Sequence, residues 1–271
     1  MAKSTAAPEP QRRLRETGNG FGSSPPHPMY PVVLRLAGRR CLVVGGGSVA
    51  ARKVTGLARC GASVTVIAPE IGADMERLSN RLTAADDRAP SGQAGAAAGW
   101  FGSGQAGDVT IVRRGYAPGD AGNYRLVITA TGTPSVDRAV AVDADRAGVW
   151  VNSADDPDHC SFYLPSVHRD GPVTVAVSTS GLSPALASWL RRKIADELVP
   201  GAGRLAQLFG DARTRLRSAG RSTGDVRWSA LLDAGLLDQV GSGDLEGARQ
   251  AVDQALRSVR GAGHGAPIAD R

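Results

Sequence analysis

Three consecutive glycines, Gly45-Gly46-Gly47, followed by Ser48-Val49-Ala50, make a G-x-G-x-x-A pattern directly after the apolar run Cys41 to Val44. In such a pattern Gly45 permits a tight turn, Gly47 lets the backbone approach a pyrophosphate, and Ala50 keeps helix and strand close. A helix starting there adds free amides and the positive end of its dipole to the phosphate site. Alone, a glycine triplet is a generic turn, so the chemistry depends on a strand before it and a helix after it.

Two further clusters carry reactive side chains. The run after the next apolar stretch ends Ile67-Ala68-Pro69-Glu70, where dinucleotide sites usually place an acid on the ribose hydroxyls. Glu70 in that role disfavours a 2′-phosphate and selects NAD over NADP; the alternative is an acid in the first turn of the following helix, where acids are favoured anyway. Asn152-Ser153-Ala154-Asp155-Asp156-Pro157 is either a plain acidic turn or, at the carboxyl end of a strand, a ligand site with Asp155 as general base or metal ligand. Ser178, Thr179 and Ser180 precede a helix and offer hydroxyls and amides to substrate carboxylates, or serve only as caps and turn formers. His159, alone beside a cysteine, reads as structural, and no metal-ligand set is assigned.

The elements that must position these residues follow from apolar periodicity. Tyr30 to Leu36 reads as a short edge strand or extended lead-in, and Cys41 to Val44 as a strand buried on both faces. Ser48 to Cys60 has helical spacing, with Val49, Leu57 and Ala58 on the apolar face and Gly61 as its stop. Ser63 to Pro69 returns as a strand, completing a βαβ unit. A helix is expected around Ile71 to Leu82, strands over Val109 to Val112, Leu126 to Ala130 and Trp150 to Ala154, and a helix capped by Ser135 running through Asp145, with Val136, Ala139, Val140 and Ala144 inward. An added strand over Val173 to Ser178 precedes a helix that begins at Ser183-Pro184 and runs to about Val199. Amphipathic helices, GRLAQLFGDARTRLRS from Gly203 and LEGARQAVDQALRSV from Leu245, follow, joined by Gly/Ser-rich turns, with the last ten residues frayed. The fold class is therefore α/β: a Rossmann-type parallel sheet over 29–165 interrupted by a flexible Ala/Gly/Ser insertion at 84–107, an added segment over 166–200, and a helical module over 201–271. Residues 1–28 read as a disordered tail.

Composition narrows the function classes. The 271 residues carry 32 Lys and Arg against 26 Asp and Glu, a formal charge of +6. The basic residues are scattered among acids without interleaved aromatics, so a nucleic-acid partner is not expected, whereas polycarboxylates or a pyrophosphate suit the excess. The opening stretch has no apolar segment, and no run approaches the roughly 20 residues that cross a bilayer, so neither leader nor membrane anchor is expected. Cys41, Cys60 and Cys160 form no CxxC pair, which fits a reducing cytoplasm.

Three stretches, GGGSVAARK at Gly45 to Lys53, VNSADDPDHCSFYLPS at Val151 to Ser166, and VAVSTSGLSPALASWLR at Val175 to Arg191, resemble the signatures of the precorrin-2 dehydrogenase/sirohydrochlorin ferrochelatase family, the amino-terminal half of siroheme synthase and its stand-alone counterparts. The resemblance covers roughly 31–200. It implies an NAD-binding Rossmann domain, a strand-exchanged dimerisation segment around 166–200 giving a homodimer, and NAD-dependent removal of two hydrogens from precorrin-2 to give sirohydrochlorin. Some members also insert ferrous iron, as a substrate, to make siroheme. By the same resemblance Asp155 is the residue needed for catalysis, and Ser48, Val49, Pro69 and Glu70 contact NAD; Gly45 and Gly47 of the motif join them at the cofactor, and Asn152, Ser178, Thr179 and Ser180 are the candidate substrate-binding residues. Where some relatives carry a phosphorylatable serine after VAVS, this chain has Thr179. The chain stops at Arg271 without a methyltransferase domain, so a separate uroporphyrinogen methyltransferase is expected to supply precorrin-2. Residue patterns alone also admit an unrelated Rossmann oxidoreductase, a non-catalytic NAD-binding dimer, or metal insertion without NAD.

Overall fold

The computed structural model describes residues 28–86, 107–198 and 200–258. The chain divides into two compact units, Met1–Val33 and Leu34–Arg271. Of the first, only 28–33 are described, without helix or strand. The strand alternative over 30–36 does not form; Pro31 has no donor for a ladder there. The tail expected over 1–28, the insertion expected over 84–107 and the frayed end fall, except at their edges, outside the described residues.

In the second unit five parallel strands, β1 (Arg40–Val44), β2 (Ser63–Ile67), β3 (Val109–Val112), β4 (Leu126–Thr129) and β5 (Trp150–Ser153), lie in the order β3-β2-β1-β4-β5. Strand β1 is central and apolar throughout its last four residues because both of its faces are covered. Cys41 and Val43 pack with α1 (Ser48–Ala58) and α2 (Ala73–Asp86), while Leu42 and Val44 pack with α3 (Pro134–Arg146). That two-residue alternation is how one short strand seeds two cores.

Helix boundaries differ from the expected ones for local reasons. The buried stripe of α1 is Ala50, Ala51, Val54, Leu57 and Ala58; Val49 falls on the opposite side and is 37% exposed. Gly61, at φ +73°, ends α1 by donating to Ala58 O. Helix α2 starts after Gly72, whose carbonyl accepts from Met75 and Glu76, and continues to Asp86, past the point where composition changes. In α3 the N-cap is Thr133 with Pro134 at the first helical position, so Ser135 lies inside the first turn and does not cap. Ala139 is exposed, and Asp137 and Ala141 are buried in its stead.

Beyond the sheet, β6 (Ser166–Asp170) pairs antiparallel with β7 (Val173–Val177), and α4 (Pro184–Leu198) packs against this hairpin. Helices α5 (Ala202–Ser218), α6 (Trp228–Asp233), α7 (Leu236–Gly241) and α8 (Leu245–Ser258) enclose a separate core of Leu205, Ala212, Leu236, Val240, Ala248 and Val252. The six-residue helices α6 and α7 occupy the stretch where only turns are expected. Helix α5 is tied to the hairpin through its first turn: Gly203 N donates to Asp170 Oδ2 at 2.8 Å, and any side chain at Gly203 would collide with the Asp170 carbonyl.

Candidate functional site

All five strands are parallel and the order reverses between β1 and β4, so their carboxyl ends open a crevice at that switch point. The glycine loop lies there. Gly45 has φ +127°, and a Cβ on it would stand 2.2 Å from Ala130 O. A Cβ on Gly46 would stand 2.0 Å from Glu70 O, and Gly46 O accepts from Gly72 N at 3.0 Å. A Cβ on Gly47 would meet nothing within 4 Å. Neighbouring backbone therefore demands the first two glycines, whereas the third leaves an open cradle. Gly46, absent from the sequence candidates, is signalled only by the triplet being unbroken.

Helix α1 begins on this loop. Its first intrahelical bond is Ala51 N to Gly47 O at 3.0 Å, so the amides of Ser48, Val49 and Ala50 precede the ladder, and no side chain caps them. Free amides, a positive dipole end and an open glycine together fit a pyrophosphate. Pro69 and Glu70 are exposed at the end of β2, with the Glu70 backbone against Gly46.

The loop after β4 forms the other wall and was missed in the sequence. Buried Asp137, on α3, accepts through Oδ1 from Thr129 Oγ1, from Thr131 N at 3.1 Å and from Thr131 Oγ1 at 2.9 Å. Three donors on one buried carboxylate oxygen hold residues 129–133 rigidly against Gly45. The signal was the run Thr129-Ala130-Thr131-Gly132-Thr133 before a helix with an acid in its first turns.

Asp155 follows β5 at the same end of the sheet. It is exposed and makes no hydrogen bond or ion pair among the described residues. Its loop is braced from behind. Buried Asn152 donates to Phe162 O at 3.0 Å and to Cys160 Sγ at 3.5 Å; Ser153 N donates to the same sulfur at 3.1 Å, and Cys160 Sγ donates to Ser153 O at 3.3 Å. Burial raises the Cys160 thiol above its ordinary value, keeping it protonated in this role. His159 Nδ1 lies 2.8 Å from Asp156 Oδ2, an ion pair whenever the imidazole is protonated.

The Ser178–Ser180 segment is a turn in which Leu182 N donates to Thr179 O at 2.9 Å. Ser178 Oγ accepts from Ser180 N at 3.2 Å, and Thr179 Oγ1 accepts from Ser183 N at 3.0 Å. Both hydroxyls therefore do the turn and capping work that stood as their alternative. Ser180, at φ +54°, is the one non-glycine residue in the left-handed region among the described residues. The turn reaches the Asp155 loop through Tyr163, whose ring lies 3.8 Å from the position of a Cβ on Gly181 and whose hydroxyl donates to Pro157 O at 3.2 Å.

Lys53, on α1, was also missed. It is half-buried, and burial together with Arg52 lowers its pKa against the opposing charge of Asp155. Its relation to Asp155 exists only in the fold, so spacing carries no signal of it. Among the described residues no three His, Cys, Asp or Glu side chains gather as a metal-binding group, and no helix is long and apolar enough to cross a membrane.

Comparison with known proteins agrees with this geometry. Residues 32–166 match the NAD(P)-binding family NAD_binding_7, and residues 170–197 match the family described as sirohaem biosynthesis protein, central. Curated siroheme synthases of Nitrosococcus oceani and Methylobacillus flagellatus are each 34% identical, over 83% and 86% of this chain and 43% and 45% of their own length. The chain thus spans less than half of the relatives it matches. Among solved structures, "SirC, precorrin-2 dehydrogenase" is superposable with a TM-score of 0.59 at 22% identity, over 86% of this chain and all of that one, and shares the fold. The open glycine cradle of the sheet thus falls within the stretch that matches the NAD(P)-binding family, and the β6–β7 hairpin and α4 within the stretch that matches the sirohaem biosynthesis central family.

Proposed function

We propose that the chain catalyses NAD-dependent dehydrogenation of precorrin-2 to sirohydrochlorin. The observation that carries this reading is Asp155, an unpaired carboxylate at the same end of the sheet as a glycine loop whose Gly47 side is open. Gly45, Gly47, Ser48 and Val49 hold the pyrophosphate side of the cofactor, and Pro69 and Glu70 its adenosine side. The exposed Glu70 carboxylate suits ribose hydroxyls and repels a 2′-phosphate, which selects NAD.

Bound NAD supplies the hydride acceptor. Precorrin-2 gives up one hydride and one proton, two electrons leave with the hydride, and the products are sirohydrochlorin, NADH and a proton. Asp155 takes that proton from carbon or pyrrole nitrogen and passes it to solvent, to which it is open. Asn152, spent on Phe162 O, and Cys160 hold the loop, so Asn152 serves by positioning Asp155. The amides of Ser178 and Thr179 and the Ser180 hydroxyl face substrate carboxylates.

Ferrous iron enters this reading as a second substrate, with Asp155 removing the pyrrole protons that metal insertion displaces. Leu182, Leu186 and Trp189 leave an exposed apolar surface on and before α4, and a second copy covering it gives the homodimer. Precorrin-2 arises by methylation of uroporphyrinogen, so a uroporphyrinogen methyltransferase acts upstream, in the cytoplasm. Incubation with enzymatically made precorrin-2 and NAD tests the reading: sirohydrochlorin absorbance and NADH are expected together, and absence of both refutes it.

A further inference from the structure

Helix α5 ends in a Schellman motif: Gly220, at φ +67°, donates through its amide to Arg217 O, and Arg221 N donates back to Leu216 O at 2.9 Å. The turn carries Arg221 off the end of α5 to the last turn of α8, where its Nη1 donates to Leu256 O at 3.3 Å. That carbonyl is one of those a helix leaves open at its end. Between the two helix ends lies a cavity of about 270 Å³ whose charged lining is Arg215, Arg221, Asp253 and Arg257. Arg215 Nη2 stands 2.7 Å from Asp253 Oδ1, so the one acid of the lining is already matched. Arg221 and Arg257 form no ion pair among the described residues, and Arg221 Nη2 is buried without a hydrogen-bond partner. Basic residues near helix C-termini complement the dipole, which accounts for Arg215 and Arg257. It does not account for a guanidinium nitrogen withdrawn from water with nothing to donate to, because such a donor is costly until it is paired.

We propose that this cavity is an anion site of the helical module, taking a phosphate group between Arg221 and Arg257. Three arginines against one aspartate leave the lining two positive charges in surplus. A phosphate dianion matches that surplus and has oxygens enough for two guanidinium forks, whereas a single carboxylate brings two oxygens and one charge. At about 270 Å³ the space falls below the roughly 300–1,000 Å³ of sites for drug-sized ligands, so the occupant is inorganic phosphate or a small phosphomonoester. Once bound, it pairs the buried Arg221 nitrogen and ties the end of α5 to the end of α8. None of the lining residues belongs to the glycine loop or the Asp155 loop, so the inference stands apart from the dehydrogenase reading.

The test titrates inorganic phosphate and glycerol 3-phosphate into the full chain by calorimetry at constant ionic strength, with NAD absent and with NAD saturating, so that the glycine loop is blocked in one arm. Binding with a Kd on the order of 1 mM or tighter is expected in both arms, and a concentration about tenfold above it should raise Tm by a few degrees. Arg221→Gln and the exposed Arg257→Gln are each expected to weaken phosphate by roughly tenfold or more. Arg217→Gln, which removes an equal charge from α5 outside the cavity lining, leaves the affinity unchanged. Arg257→Gln carries the same expectation should Arg221→Gln disturb the contact with Leu256. Tighter binding of the ester assigns the site to a phosphorylated metabolite and tighter binding of the free ion to inorganic phosphate, and either supports the proposal. Absence of binding, loss of binding when NAD is added, or equal weakening by Arg217→Gln overturns it.

Discussion

A Cβ on Gly46 would lie 2.0 Å from the carbonyl oxygen of Glu70, so the middle glycine of the triplet is what lets the β2 exit close over the phosphate loop. Gly46→Ala is therefore expected to push these segments apart, costing about 1–3 kcal/mol of stability and weakening NAD at least tenfold. Gly47→Ala meets no atom of the chain within 4 Å. It should leave the melting temperature unchanged while weakening NAD, because only the ligand occupies that space. Paired thermal melts and NAD titrations distinguish the two glycines.

Asp155 is free of structural bonds, so its removal should spare the fold. Asp155→Asn is expected to lower kcat by about 10²–10⁴, with unchanged thermal stability and NAD affinity. Cys160→Ala, which deletes the sulfur contacts to Ser153 and Asn152, should lower both kcat and stability, since it loosens the loop rather than removing the base. Circular dichroism melts beside single-turnover rates separate these outcomes.

Burial in the centre of β1 pushes the Cys41 thiol up from 9.0 to about 11, with the neighbouring Cys60 thiol adding to the effect. The unfolded chain ionises this thiol first, so it binds fewer protons than the folded chain between pH 9 and 11, and stability falls as pH rises through that window. Urea midpoints at pH 8 and pH 10.5 should therefore drop more for the unmodified protein than for Cys41→Ala, which starts less stable because of the cavity it leaves.

Ser180 holds a left-handed backbone that glycine adopts without penalty. Ser180→Gly is expected to stabilise the protein by about 1 kcal/mol and, by removing the hydroxyl, to raise KM for precorrin-2 severalfold. Chemical denaturation and steady-state kinetics check the two halves independently.

The legible parts of this molecule are those in which a local pattern meets its own local need. The Cys41–Val44 run is continuous because parallel strands are covered on both faces, and Gly45 and Gly61 mark backbone that only glycine enters easily. Strand β6, Ser-Val-His-Arg-Asp, is short, polar and half-covered, so no alternation announces it. The six-residue helices α6 and α7 are too short for a 3.6-residue period to show. Asp137 looks like any acid in an early helical turn, and its role appears only once Thr129 and Thr131 are seen to donate to it. The electrostatic pull of Asp155 on Lys53 and the meeting of Tyr163 with Gly181 depend on chain crossings that no sequence window contains.

The most direct test of the central claim is a spectral time course with purified protein, precorrin-2 and NAD under anaerobic conditions. The account predicts sirohydrochlorin and NADH appearing in equal amounts, abolished by Asp155→Asn while NAD still binds. NAD binding without either product, or full activity in Asp155→Asn, contradicts it.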